Sequence, residues 1–142
     1  MSIQDIQNEI INEFSILGDD RESTIYYIME LGNKLPEMPD SHKSEENIIK
    51  GCQSKVWLTA SEENNKINYL ADSNTDITKG LISLLIRVLS GRSPEEIIKA
   101  DLDFIGKIGM GNIIGSQRSN GLAAMIKQMK MYAIAYQAKL NA

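Results

Sequence analysis

Val56-Trp57-Leu58-Thr59-Ala60-Ser61, then Glu62-Glu63-Asn64-Asn65, then Lys66-Ile67-Asn68-Tyr69-Leu70-Ala71 is the stretch on which the fold turns. Val56, Leu58 and Ala60 alternate with Trp57, Thr59 and Ser61. Beyond a polar tetrad, Ile67, Tyr69 and Ala71 alternate again. Period two on both sides of turn-forming residues reads as an antiparallel hairpin with one face buried. Trp57 is expected to anchor the hairpin in the core. Just upstream, Asn47-Ile48-Ile49-Lys50 reads as a short first strand that folds back at Gly51-Cys52. The expectation is therefore a small antiparallel three-stranded sheet.

Outside this stretch the period is helical. Ile3, Ile6, Ile10, Phe14 and Leu17 form one apolar stripe over 3–17, opened by Ser2 with Asp5 as its capping partner. A second helix is read over 21–33, and Pro36 and Pro39 then hold the chain extended. Ile77, Leu81, Leu84, Leu85 and Val88 share a face over 76–90. Ser93-Pro94-Glu95-Glu96 starts a short helix over 94–100, because serine caps, proline suits the first turn and Glu96 closes the capping box. Another short helix is expected over 102–107. Gly106, Gly109, Gly111 and Gly115 read as a flexible loop. A last helix over 117–140 carries Leu122, Met125, Ile126, Met129, Ala133 and Tyr136. Helices flanking a small sheet make the class α+β.

At 142 residues the chain reads as a single domain, 1–142. With 42% hydrophobic and 24% charged residues it is ordinary globular material, and no apolar run reaches the roughly 20 residues of a membrane helix. The N-terminus lacks a basic and then apolar leader, so no secretory signal is read and a cytoplasmic location is expected. A net charge of −4 argues against nucleic-acid binding. The charge is uneven, though: the first half is acidic and the second basic. From Phe104 onward Lys107, Arg118, Lys127, Lys130 and Lys139 meet no acid. Either the halves attract each other within the fold or the basic face meets an acidic partner.

One cysteine, Cys52, stands in Gly51-Cys52-Gln53-Ser54-Lys55-Val56-Trp57. A lone thiol cannot close a disulfide or supply a zinc or iron–sulfur ligand set, so no metal is expected in this chain. It is either an inert buried thiol or a reactive one that works on another molecule. Lys50 and Lys55 flank it, and residues 47–61 contain no acid. That charge is expected to lower the thiol pKa. Gly51 and Ser54 are small and leave room for a partner's reactive group. His42, the sole histidine, is the base that a cysteine hydrolase would require. Gly109-Met110-Gly111-Asn112-Ile113-Ile114-Gly115 misses the dinucleotide-binding spacing and follows no strand. Arg118, read at the start of the last helix, is a surface arginine or a partner-docking one.

Four motifs in order, Leu31-Gly32…Leu35-Pro36-Glu37, Gly51-Cys52-Gln53-Ser54-Lys55-Val56-Trp57, Asp72-Ser73…Lys79-Gly80-Leu81 and Arg118-Ser119-Asn120-Gly121-Leu122, resemble the SufE family. The resemblance implies a sulfur acceptor whose Cys52 takes persulfide sulfur from a cysteine desulfurase of the SufS kind. It implies that the chain stimulates that enzyme and passes sulfur to an iron–sulfur scaffold complex of the SufBCD kind. It further implies a fold similar to the iron–sulfur scaffold protein of the Isc system, with Gly51, Gln53, Ser54, Lys50 and Lys55 supporting the thiol and Arg118 docking the partner. No cofactor is implied for this chain; pyridoxal phosphate belongs to the desulfurase. A homodimer is left open. Asn74, Lys43 and Gln117 stand where family members often have Asp, Arg and Pro. The alternative is a non-catalytic adaptor with a structural cysteine.

Overall fold

The computed structural model describes residues 1–141, and its order is two helices, a hairpin and four helices. Strands β1 (Val56–Glu63) and β2 (Lys66–Ser73) pair antiparallel from Val56 opposite Ser73 to Glu63 opposite Lys66. The turn is the two residues Asn64 and Asn65, at φ 53 and 64. Two positive φ angles match the twist of a tight hairpin, and asparagine tolerates them. Val56, Leu58, Ile67, Tyr69 and Ala71 are buried on one face. Trp57 points to the other face and is only half-buried, outside the core rather than anchoring it.

The sheet has two strands, not the expected three. Residues 47–50 do run beside β1, but they contribute a single bridge, Ile48 to Trp57, and one hydrogen bond, Ile49 N–H to the Val56 carbonyl at 2.8 Å. A 3-10 turn, Glu45–Asn47, precedes the segment. Gly51, at φ 97, swings the chain away after it. No length remains for a ladder. The outer edges of the hairpin are covered by other means. Tyr132 and Tyr136 donate to the Leu58 and Ala60 carbonyls at 3.3 and 3.0 Å, and residues 90–92 bond to Ile67 and Tyr69 on the far side. Covering edges in this way blocks strand addition.

Helix α1 (Ile3–Ile16) begins with the Ser2–Asp5 capping box, and α2 (Arg21–Asn33) with Asp20 as its cap. Helix α3 (Asp76–Leu89) is the hub: Leu81, Ile82, Leu84, Leu85, Val88 and Leu89 are all buried, and it packs on α2, β2, α1 and the last helix. The short α4 (Pro94–Lys99) has the Ser93–Glu96 capping box, and α5 (Phe104–Lys107) inserts Phe104 into the core. Gln7, 1% exposed, ties α1 to this region; its amide donates to the Asp101 carbonyl and its oxygen accepts from the Phe104 N–H. Helix α6 (Met110–Leu140) starts seven residues before the expected position. The glycine-rich stretch is therefore no open loop: residues 110–114 make a helical turn that buries Met110 and Ile114. Gly115, at φ 81 and ψ 172, then breaks and re-aims the helix. Only a residue without a Cβ adopts that geometry freely. Among the described residues no helix is long and apolar enough to cross a membrane.

Candidate functional site

Cys52 sits where the irregular chain enters β1. Gly51 takes the positive φ that turns the chain, and a Cβ there would stand 3.4 Å from the Ala124 methyl. The loop rests on α6 at Gly121, where a Cβ would stand 3.5 Å from the Cys52 sulfur. The thiol is half-buried and donates to the Gly121 carbonyl at 3.5 Å. Burial pushes its pKa up from the ordinary thiol value. This reverses the expectation that Lys50 and Lys55 lower it. Both lysines lie in solvent and neither lines the thiol's pocket. Removing the charged form from water outweighs two screened surface charges.

The thiol opens into a pocket of ≈ 80 Å³. The loop contributes Cys52, Gln53 and Ser54, and α3 contributes Thr78 and Leu81. Gln117, Arg118, Gly121 and Met125 come from α6. Arg118, itself exposed, is the pocket's one charged side chain among the described residues. The break at Gly115 lies just before Gln117 and Arg118 and sets the direction from which they reach the cysteine. Of the residues read from the sequence, Cys52, Gln53, Ser54 and Arg118 come together. Gly51 supplies the turn. Lys50 and Lys55 flank it in solvent. His42 does not line the pocket.

Several polar contacts clamp the loop. Asn74 and Lys55 exchange two bonds: the Lys55 N–H donates to Asn74 Oδ1 at 3.0 Å, and the Asn74 N–H to the Lys55 carbonyl at 3.2 Å. The Ser73 hydroxyl donates to the same carbonyl at 2.8 Å. Ser54 Oγ accepts from the hydroxyls of Thr75 at 3.0 Å and Thr78 at 3.3 Å. Behind them Asp72 pairs with Lys43 at 2.9 Å and Lys79 at 3.5 Å. Burial alone would raise the Asp72 carboxyl, but Lys43, the Ser73 N–H and Lys79 together carry it below the ordinary value. Thr75 and Thr78 escaped the sequence reading, while Leu81 and Met125 are read there as helix-stripe residues and not as pocket lining. The one available signal for the threonines is their spacing, three apart at a helix start, just beyond Asp72-Ser73-Asn74.

The chain is thus an α+β domain that holds its single cysteine on a clamped turn against α3 and α6. Residues 8–133 match the family model described as "SufE: Fe-S metabolism associated domain", and the chain belongs to the SufE family. A SufE-like protein of Rhizobium meliloti (strain 1021) is 38% identical over 131 residues, covering 89% of this chain and 93% of that one. The SufE-like protein 1, chloroplastic/mitochondrial, of Arabidopsis thaliana is 36% identical over 113 residues, covering 79% of this chain and 30% of that longer one. The solution structure of a hypothetical protein from Thermus thermophilus superposes with a TM-score of 0.77 at 20% identity, covering 94% of this chain and 96% of that one. At that identity the likeness speaks for the fold. The family description associates the chain with iron–sulfur metabolism.

Proposed function

We propose that this chain carries sulfur: Cys52 accepts it from the persulfide of a cysteine desulfurase and releases it to an iron–sulfur scaffold of the Suf type, in the cytoplasm. The Cys52 thiolate attacks the outer sulfur of the partner's persulfide. A sulfur–sulfur bond forms to Cys52, the partner's sulfur–sulfur bond breaks, and the partner's thiolate leaves. No net oxidation occurs, so no redox cofactor is required. The observation that carries this reading is a lone thiol seated in a pocket, with no second thiol in the sequence to resolve a persulfide internally. At rest the thiol keeps its proton on the Gly121 carbonyl, and it must leave that acceptor to react. Arg118 and Gln53 are both exposed and both line the pocket, which supports a docking role for Arg118.

The test is direct. The chain is mixed with a desulfurase, pyridoxal phosphate and cysteine, and its mass is read under non-reducing conditions. One added sulfur on Cys52 is expected, and none in Cys52→Ser. A chain that binds the desulfurase yet gains no sulfur would be an adaptor.

A further inference from the structure

The Ser54 oxygen lies within hydrogen-bond distance of two hydroxyls at once, those of Thr75 and the 5%-exposed Thr78 at the start of α3. A hydroxyl oxygen has two lone pairs and one proton. Three hydroxyl protons share these two contacts, so at least one is left over, and when both threonines donate to Ser54 it is the Ser54 proton. Ser54 lines the same ≈ 80 Å³ pocket as Cys52. That space exceeds the roughly 30 Å³ of a water's share of liquid, so one added sulfur fits.

Resting on the sulfur-carrier reading, we propose that the Ser54 hydroxyl is a catalytic donor: it hydrogen-bonds the outer, negatively charged sulfur of the Cys52 persulfide. The Gly121 carbonyl that receives the resting thiol proton is an acceptor and repels an anion. Once sulfur is loaded, the pocket needs a donor in its place. With Thr75 and Thr78 both donating to Ser54, its proton is free to turn to the loaded sulfur. A hydroxyl donor to a charged acceptor is stronger than a neutral pair.

The test bypasses the desulfurase. Inorganic polysulfide loads Cys52: its thiolate attacks a polysulfide sulfur, a sulfur–sulfur bond breaks and the shortened polysulfide leaves. The persulfide is then alkylated across a pH series, and the product is read by mass. Among the described residues Arg118 is the one charged group lining the pocket; the loop and α3 present Gln53, Ser54, Thr78 and Leu81, and α6 adds Gln117, Gly121 and Met125, none of which titrates. In Ser54→Ala the persulfide midpoint should rise by about one pH unit or more, the size of one hydrogen bond to a charged group. The unloaded thiol's midpoint should move clearly less. Ser54→Thr, which keeps the hydroxyl, should match the parent. Unchanged persulfide midpoints in the alanine variant, an equal shift of the unloaded thiol, a shifted threonine variant, or a parent that polysulfide cannot load would each overturn the proposal. If Ser54→Ala does not fold, as read by circular dichroism, Ser54→Thr decides. A chain that loads and titrates as described but takes no sulfur from a desulfurase would lose the functional reading alone.

Discussion

A thiol parked on a carbonyl is a restrained nucleophile. Cys52 gives up water on one side and meets the Gly121 acceptor on the other, and both favour the protonated form. Restraint suits a carrier that must not react with every passing disulfide. It also changes what the flanking lysines are for. Lys50 and Lys55 stand in solvent, where a Debye length of about 8 Å screens their field. Lys50→Glu combined with Lys55→Glu should therefore leave the pH profile of resting Cys52 alkylation where it is. That profile should itself lie above an ordinary thiol's, because burial is the cause of the shift. Alkylation rates with a small iodoacetyl reagent across a pH series measure both. A midpoint that climbs by most of a unit in the double variant would restore the lysines as the thiol's activators.

Helices α2 and α3 place the front of the site, because Thr75 and Thr78 hold the loop only if α3 stays where it is. The two helices approach through glycines. A Cβ at Gly32 would stand 2.6 Å from the Gly80 amide nitrogen, and a Cβ at Gly80 would overlap the Ile28 carbonyl. Both clashes are with backbone, which cannot rotate aside. Gly80→Ala should therefore cost about 3 kcal/mol in urea unfolding, at the upper end for overpacking. A loss within experimental error would mean the helices have slack. The sequence shows why some elements were legible and others were not. The capping boxes at Ser2 and Ser93, the stripe on α3 and the alternation in the hairpin are local signals, and each element stands within a residue or two of its reading. The third strand failed because Ile48 and Ile49 look like strand residues, while the 3-10 turn before them and the left-handed Gly51 after them limit pairing to one bridge. Residues 110–114 were misread because glycines signal a loop, yet burial of Met110 and Ile114 overrides their low helix propensity. The cysteine itself was plain in the sequence. Its hydroxyl clamp was not, because Ser54 and Thr78 meet only in three dimensions.

Across the whole molecule, charge joins the acidic half to the basic one. Lys79 pairs with Asp72 behind the site, and Arg87 of α3 reaches back to Glu13 and, at 3.5 Å, to Glu9 of α1. Glu13 also accepts from Tyr27 of α2, whose phenol is pushed up to about 12 by burial and by that carboxylate. Arg87, Glu13 and Tyr27 thus pin three helices together. The basic residues of α6 are used differently: Lys130 donates to the Ala100 carbonyl at 2.6 Å, while Arg118 is left facing the cysteine pocket. The Arg87 guanidinium holds the Glu13 carboxyl below its ordinary value of 4.5, against the upward push of burial. A carboxyl that is more acidic in the folded chain stabilises it fully above that ordinary value. The contribution is lost as pH falls through the lower, folded value. The side chains are about a third exposed, so solvent screening keeps the effect on the order of 1 kcal/mol. Glu13→Gln should be less stable than the parent near neutral pH, and the gap should close as pH falls below the lowered, folded value of the Glu13 carboxyl, where the parent's carboxyl is protonated as well. Urea unfolding across a falling pH series reads this out. Two curves that keep the same separation at acid pH would show that Glu13 acts through packing alone, and that the join at Arg87 is steric rather than electrostatic.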